Sequence, residues 1–438
     1  MKQARVISFL ANLFFAALFV GLPISKGVAS VAVGGLLVLS VVQIIRFGLP
    51  KIQVSDWRFW MPLLLLFLLI ISYFRSEDSS TAWKVLYREN TLLVIPLALA
   101  VFKELFQKQF RLYFQLFIIA TSFCSLLTLF FFFLPSQTSL SITQKLTFLQ
   151  DYVLHEKEYA FGTYSPFIDR LHFSYLLGTA LFIQLWALFS RQIKSHLPAF
   201  ILLMINLFCL LILGGRGAQL GFLLSTAVWL VFIYRQFLQI PLMERFGRIA
   251  AYTLLVLGLL VGIALMPYLA YRNIPAVQDR YTQLRWEIGT VQDDTYQKYP
   301  YEHFTSLRRL MSWKYTWEII RRHPILGIGL GDHNTTLRKY YERDQLRIPI
   351  NSHQQYLYYW AVAGILGFLL FLLLLWQFLR SSFQEKVWNH QALMLSFIAF
   401  YSIVFLLDSP LIYQTGSLAF WVFFLALVAL KIEASPKT

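Results

Sequence analysis

The chain has 438 residues, of which 58% are hydrophobic and only 14% are charged. Soluble domains carry about 25% charged residues, so this composition excludes an ordinary soluble protein. The net charge of +16 does not indicate nucleic-acid binding, because no nucleic-acid motif accompanies it and Lys and Arg also collect in the cytoplasmic loops of membrane proteins.

Apolar runs of about 20 residues recur along the chain, and each is long enough to cross a hydrocarbon layer of about 30 Å. They predict an all-α polytopic membrane protein with about 12 transmembrane helices, none of which looks broken. The predicted spans are 6–24, 27–47, 58–74, 90–106, 110–134, 172–190, 197–214, 217–234, 249–270, 354–377, 390–407 and 411–431.

An even number of spans puts both termini on one side of the membrane. With the N-terminus inside, the cytoplasmic segments hold about twice as many Lys and Arg residues as the short external segments. We therefore predict cytoplasmic termini and one integral membrane domain. Residues 1–270 hold the first nine spans, residues 271–353 form a long external loop, and residues 354–438 hold the last three spans.

The external loop is too long to be a bare connector, and we expect it to contain amphipathic helices. Residues 305–322 have helical periodicity and end before Pro324. The segment from Gly327 to Gly331 predicts a tight turn and not a nucleotide-binding loop, because no strand precedes it. In the 305–322 helix the pattern predicts an apolar face of Leu310, Trp313, Trp317 and Ile320, with Arg308, Ser312, Tyr315 and Arg322 turned away from it.

His353 is the first candidate for chemistry. Ser352 and Gln355 have the spacing of a capping box, which predicts that His353 is the first helical residue of the tenth span. The partial positive charge of a helix N-terminus disfavours imidazolium, and a neutral imidazole can act as a general base. A histidine that only hydrogen-bonds water or lipid headgroups is an equally weighted alternative.

Two arginines are candidates for binding phosphate, since guanidinium matches phosphate geometry. Arg216 lies between Gly215 and Gly217 at the external junction of two spans, where a substrate could approach the backbone closely. Arg309 lies one turn before Trp313 on the loop helix. Arg216 could instead reach to the lipid headgroups, and Arg309, like its neighbour Arg308, could belong to a solvated helix face.

Two further polar residues fall at the same predicted membrane face. Asp408 lies just before Pro410 and either forms a turn or orients His353 or pairs with an arginine. His172 lies near the external start of the sixth span and either touches a substrate headgroup or is an ordinary interfacial histidine. A cluster of such residues at one face predicts a pocket for an anionic, lipid-linked substrate. No metal-binding or cofactor-binding motif is found.

The sequence around His353 resembles the signature of the O-antigen ligase superfamily, a group of bacterial envelope glycosyltransferases. That signature is His-[Asn/Ser/Gln]-x9-Gly-x2-[Gly/Thr/Tyr], and His353, Gln354, Gly364 and Gly367 fit it in order. Gln354 stands where Asn is the commoner residue, but the signature permits Gln.

Two other elements extend the resemblance. Arg309-x3-Trp313, with the segment 323–329 that follows, resembles the element before the histidine signature, and Arg216-Gly217 resembles the upstream Arg-Gly element. The order of the motifs, the long loop and the predicted spans agree with the superfamily.

The resemblance implies transfer of a glycan from an undecaprenyl-pyrophosphate carrier to an acceptor hydroxyl at the periplasmic face of the bacterial inner membrane. Lipid A–core of lipopolysaccharide is the expected acceptor. The reaction would be inverting and independent of metals and cofactors, with His353 as general base, Arg216 and Arg309 on the pyrophosphate, and Asp408, Arg308 and His172 in support.

Other functions remain open at this stage. A protein O-oligosaccharyltransferase or a polysaccharide polymerase would belong to the same superfamily. A twelve-helix transporter or flippase would belong to another class, and it would be expected to show broken helices and polar groups near the bilayer midplane.

Overall fold

The computed structural model describes residues 2–48, 57–133, 167–190, 196–213, 215–238, 305–344 and 352–430, together with 272, 278, 282, 285–287 and 289. The continuous segments among them contain helices and no strand. In chain order the helices are α1 (Lys2–Ile24), α2 (Lys26–Phe47), α3 (Trp57–Phe74), α4 (Ser79–Arg88), α5 (Thr91–Val101), α6 (Lys103–Phe133), α7 (Arg170–Phe189), α8 (His196–Leu213), α9 (Arg216–Leu238), α10 (Thr305–Arg322), α11 (His333–Arg343), α12 (Gln355–Gln384), α13 (Trp388–Leu407), a short 3₁₀ turn (Pro410–Ile412) and α14 (Gln414–Ala429).

Six helices within the described residues are long and apolar enough to cross a membrane, namely α1, α2, α6, α7, α12 and α13. Helices α3, α8 and α14 are apolar but shorter. Eleven of the predicted spans overlap a helix, and the remaining one, 249–270, lies outside the described residues. The prediction of an all-α membrane protein is confirmed, while the number of twelve spans stays a prediction.

The fourth predicted span, 90–106, is wrong as a single helix. Helix α5 ends at Val101, and Phe102 has φ −109 and ψ 28 before α6 begins at Lys103. At about 1.5 Å per residue, the 11 residues of α5 are too short to cross the hydrocarbon layer alone. The apolar pattern continues through Phe102, so periodicity does not show this boundary.

Close packing around Phe400 draws α7, α9 and α13 together. A Cβ atom on Gly178 of α7 would overlap the Phe400 ring, and one on Gly221 of α9 would lie 3.1 Å from it. The absence of side chains at both glycines therefore lets the ring fit between the helices. As a result, the end of α13 is held beside the start of α7 and the start of α9.

Helix α12 is broken at Gly364, which has φ 71 and ψ −169. The break frees backbone carbonyl groups that an intact helix would use. Those of Ala361 and Val362 accept hydrogen bonds from the N–H groups of Ile328 and Gly329 at 2.8 and 3.2 Å. The expectation that the spans look unbroken is therefore wrong for α12, because a backbone segment outside the helix replaces its internal hydrogen bonds.

Glycine is required where this segment meets the break. A Cβ atom on Gly364 would overlap the carbonyl oxygen of Ile325, and one on Gly327 would lie 2.6 Å from that of Ala361. Both residues also have positive φ angles, which L side chains rarely adopt. The predicted tight turn after α10 thus packs directly on the backbone of α12.

Helix α10 has the predicted bounds of 305–322, but the face that it packs against the protein differs from the predicted apolar face. Leu310 and Trp317 are exposed, whereas Ser312 and Tyr315 are buried. The Tyr315 hydroxyl donates to Oδ2 of Asp344 at 2.6 Å, and the Ser312 and Tyr341 hydroxyls lie 2.8 Å apart. Because these hydroxyls have partners on or just after α11, burying them costs little.

Candidate active site

The polar candidates are found at one end of the helix bundle, where α7, α9 and α12 begin and α13 ends. We call this the site end. Asp408 is the C-cap of α13, and His353 precedes α12. Burial leaves only 6% of Asp408 exposed, whereas 24% of the His353 side chain is exposed. The carboxylate is therefore enclosed by protein while the imidazole can meet a ligand.

The local structure at His353 differs from the predicted capping box. The N-cap of α12 is Gln354, and no side chain caps it. The Ser352 hydroxyl donates to the carbonyl of Gln354 at 3.0 Å, and the Gln355 side chain accepts from the N–H of Leu411 at 3.0 Å. His353 thus lies two residues before the helix, so the helix-dipole argument for a neutral imidazole does not apply as predicted.

His353 is the only residue other than glycine with a positive φ among the described residues, at 48°. This region is uncommon for side-chain-bearing residues, although histidine is among those enriched in it. Backbone conformations of this kind concentrate at functional sites. In this conformation the side chain of His353 approaches Asp408, which lies at the end of α13.

The imidazole of His353 lies beside the carboxylate of Asp408. Nδ1 of His353 lies 3.5 Å from Oδ1 of Asp408, which is long for a hydrogen bond. The same Oδ1 accepts the N–H of Ser409 at 2.8 Å, and Oδ2 accepts the hydroxyl of Tyr175 on α7 at 2.6 Å. Both oxygens of the carboxylate are therefore held by groups from separate parts of the chain.

The electrostatics keep Asp408 ionised. Burial alone would raise the pKa of Asp408, but its contact with His353, the positive charge of Arg309 and the hydroxyl of Tyr175 outweigh burial. The pKa of Asp408 is therefore held well below its usual range. At neutral pH the carboxylate therefore acts only as a hydrogen-bond acceptor.

Arg309 reaches this site through the docking of α10. Trp313, one turn further along the helix, donates its indole N–H to the main-chain carbonyl of His353 at 3.1 Å. The bond places the first turns of α10 over the segment that carries His353. Arg309 is half-buried there, and its charge acts on Asp408.

Arg216 is the first residue of α9, and its side chain is exposed. A Cβ atom on Gly215 would lie 2.7 Å from Oγ of Ser174, next to Tyr175, and one on Gly217 would lie 3.5 Å from Leu407, next to Asp408. The backbone of Arg216 therefore lies between the two helix ends that hold the carboxylate. The structure brings Arg216, Arg309, His353 and Asp408 to the site end.

His172 forms a separate pair. Its Nδ1 lies 3.1 Å from Oδ1 of Asp169, the N-cap of α7, and its ring contacts that of Tyr413 with centroids 4.9 Å apart. The imidazole is buried, and its pairing with Asp169 fits the interpretation of a packed interfacial histidine. The backbone of Arg308 lies in α10, and its side chain is outside the described part of the chain.

Tyr175 was missed by the sequence analysis. It lies in an apolar helix, and nothing in its local sequence separates it from the other 22 of the 23 tyrosines. Its role depends on a contact with Asp408 on a distant helix. Within the described residues, no group of three or more His, Cys, Asp and Glu side chains could hold a metal ion.

Comparison with known protein families finds a match over part of the chain. Residues 199–372 match the family model described as O-Antigen ligase. Residues 199–372 are thus similar to an O-antigen ligase domain. The predicted resemblance is thus confirmed, and the chain is a multi-pass membrane protein of a glycosyltransferase type. No curated protein matches the chain significantly.

The O-antigen ligase match and the site end overlap only in part. The matched region holds Arg216, Arg309 and His353, whereas Tyr175 and Asp408 lie outside it. The carboxylate beside the imidazole, and the tyrosine that donates to this carboxylate, therefore lie outside the matched region in sequence.

Proposed function

We propose that this protein transfers a glycan from an undecaprenyl-pyrophosphate carrier to a hydroxyl of lipid A–core, at the periplasmic face of the bacterial inner membrane. The O-antigen ligase match supports the reaction class. The observation that carries the proposal is the contact between His353 and Asp408 beneath Arg309, at an end of the bundle where the imidazole is partly exposed.

The proposed reaction is a single displacement with inversion. Asp408 holds the Nδ1 side of the His353 ring, and Nε2 takes the proton of the acceptor hydroxyl as the oxygen attacks the anomeric carbon. The bond from that carbon to the pyrophosphate oxygen breaks, and undecaprenyl pyrophosphate leaves with the electron pair. The proton on His353 then returns to solvent or to the leaving pyrophosphate.

The arginines act on the charge that develops as the bond breaks. Arg309 and Arg216 lie on separate helices at the same end, so their guanidinium groups could contact the pyrophosphate from two sides. Bidentate hydrogen bonds from guanidinium to phosphate are strong and directional. Donors fixed before the reaction stabilise the transition state without reorganisation. No metal or cofactor is required in this scheme.

The deciding experiment is an in vitro transfer assay with purified protein, carrier-linked glycan and lipid A–core. We expect labelled lipid A–core from the wild type, with or without a chelator. His353→Ala should lower the rate by about 10²–10⁴-fold, the usual contribution of general-base catalysis. His323→Ala is the matched control, since His323 is exposed at the end of α10. Wild-type transfer by His353→Ala would remove the general-base role.

The same assay separates the related functions. Label on a protein hydroxyl would assign a protein O-oligosaccharyltransferase, and growth of the carrier-linked chain would assign a polymerase. A broken helix such as α12 is a feature of transporters, but here the carbonyl groups of Ala361 and Val362 accept hydrogen bonds from Ile328 and Gly329. Uptake of carrier lipid into vesicles without any glycan transfer would favour the transporter.

A further inference from the structure

Tyr175 and His353 approach different oxygens of the Asp408 carboxylate. Its hydroxyl donates to Oδ2 at 2.6 Å, while Nδ1 of His353 faces Oδ1 at 3.5 Å. Tyr175 is 3% exposed and Asp408 is 6% exposed. The carboxylate is therefore a buried link between α7 and the segment that precedes α12.

A short hydrogen bond from a phenol to a buried carboxylate has two physical effects. It fixes the plane of the carboxylate, because a charge-assisted bond is short and directional. It also offsets part of the negative charge, so the carboxylate attracts a proton on a neighbouring imidazole less strongly. Both effects are transmitted to His353 through Asp408.

We propose that Tyr175 is a positioning residue for the glycosyl transfer proposed above. Its hydroxyl holds Asp408 so that the carboxylate orients the imidazole of His353 toward the acceptor. This inference rests on the proposed function. Tyr175 does not touch the substrate in this scheme, and its whole contribution passes through Asp408.

Several charged or titratable groups surround the carboxylate and must be considered in a pH experiment. Besides Tyr175 on α7, they are Arg309 on α10 and His353 before α12. Asp169 and His172 lie within two turns of Tyr175 and pair with each other, and Arg216 begins the neighbouring α9. Tyr175 and Ser409 donate hydrogen bonds of 2.6 and 2.8 Å to Asp408.

The test is Tyr175→Phe, which keeps the ring and removes the hydroxyl. Hydrogen bonds to charged groups contribute about 1.5–3 kcal/mol, so we expect kcat to fall by about 10- to 100-fold with an unchanged KM for the carrier-linked glycan. The acid limb of the kcat/KM profile should move to higher pH, because the uncompensated carboxylate stabilises protonated His353.

Tyr113→Phe is the matched control. Tyr113 is a fully buried tyrosine of α6 whose hydroxyl donates to Oδ1 of Asn12 on α1 at 2.7 Å, and neither helix carries a residue of the site. It should leave kcat and the pH profile at wild-type values. A Tyr175→Phe variant with wild-type kcat and an unshifted acid limb would overturn the proposal.

A double-mutant cycle distinguishes positioning from a general packing defect. If Tyr175 acts only through Asp408, then adding Tyr175→Phe to Asp408→Asn should cost nothing further. A loss of equal size in both backgrounds would assign Tyr175 a merely structural role and would overturn the proposal. Absence of transfer by the wild type with every acceptor would instead overturn the proposed function, and this inference with it.

Discussion

Trp313 and His353 are joined by a hydrogen bond from the indole N–H to the main-chain carbonyl, with a length of 3.1 Å. The bond gives a structural reason for the spacing of Arg309 and Trp313, which lie one helical turn apart. With Trp313 anchored at His353, the preceding turn of α10 carries Arg309 close enough for its charge to act on Asp408. The bond thereby contributes to the alignment of α10 with α12.

Trp313→Phe tests this alignment. The variant keeps an aromatic ring but loses a bond whose net contribution is about 1 kcal/mol. We expect transfer to fall about fivefold, measured as kcat/KM in the in vitro assay. Trp317→Phe is the control, because Trp317 is 46% exposed on the same helix. Equal losses in both variants would mean that helix packing, and not the bond to His353, sets the rate.

Arg216→Lys tests the phosphate role of Arg216. Lysine keeps the charge but loses the planar pair of donors, so transfer should fall at least about tenfold. Arg321→Lys serves as control, since Arg321 is exposed at the end of α10. Full activity of Arg216→Lys would favour an arginine that only reaches the lipid headgroups.

Gly364→Ala tests the broken helix. The added methyl would overlap the carbonyl of Ile325 at a residue whose φ is 71°, so we expect a stability loss above about 2 kcal/mol. Thermal unfolding in detergent should show a clearly lower Tm, with transfer lost in parallel. Gly34→Ala is the control. Gly34 lies within helix α2 and has nothing within 4 Å of the new Cβ, so its Tm should stay equal or rise. An unchanged Tm for Gly364→Ala would contradict the observed packing.

Glu89→Gln tests a buried carboxyl between α4 and α5. Burial raises the pKa of Glu89 to about 8, against the hydrogen bond from the Ser417 hydroxyl. The unfolded carboxyl has a pKa of about 4.3, so the folded state binds the proton more tightly. Ionisation therefore removes stability as pH rises from about 4 to about 8.

The amide in Glu89→Gln cannot ionise. We expect its Tm to exceed that of the wild type at about pH 8.5, with the difference vanishing near pH 4 to 5. Glu104→Gln, at an exposed position of α6, should show no such pH dependence. A Tm difference that stays constant with pH would show that Glu89 does not titrate in this range.

Much of the helical framework follows from local pattern. The bounds of α10 were predicted correctly, because periodicity marks its length and Pro324 ends it. The burial of Tyr315 was not predicted, because a hydrophobicity pattern treats Tyr315 as polar, whereas its hydroxyl is bonded to Asp344. Whether an amphipathic side chain is buried depends on a partner that local sequence does not reveal.

The structure brings several of the residues selected from the sequence to one end of the bundle, while their roles stay predictions. Residue type and motif order identified His353, Arg216 and Arg309, but the cap at His353 was wrong because Gln355 bonds to Leu411 and not to its own helix start. Tyr175 has no local signal at all. The break at Gly364 was invisible because apolar residues continue on both sides of it.

The hydrogen bonds across the Gly364 break have a consequence for how the molecule is made. Residues 324–329 leave the ribosome before the helix that accepts their bonds, and Asp408 is synthesised later still. The segment can form its hydrogen bonds only after the first turns of α12 have been synthesised, and His353 can contact Asp408 only after α13 has been synthesised. The contacts around His353 are thus completed only after α13 has been synthesised.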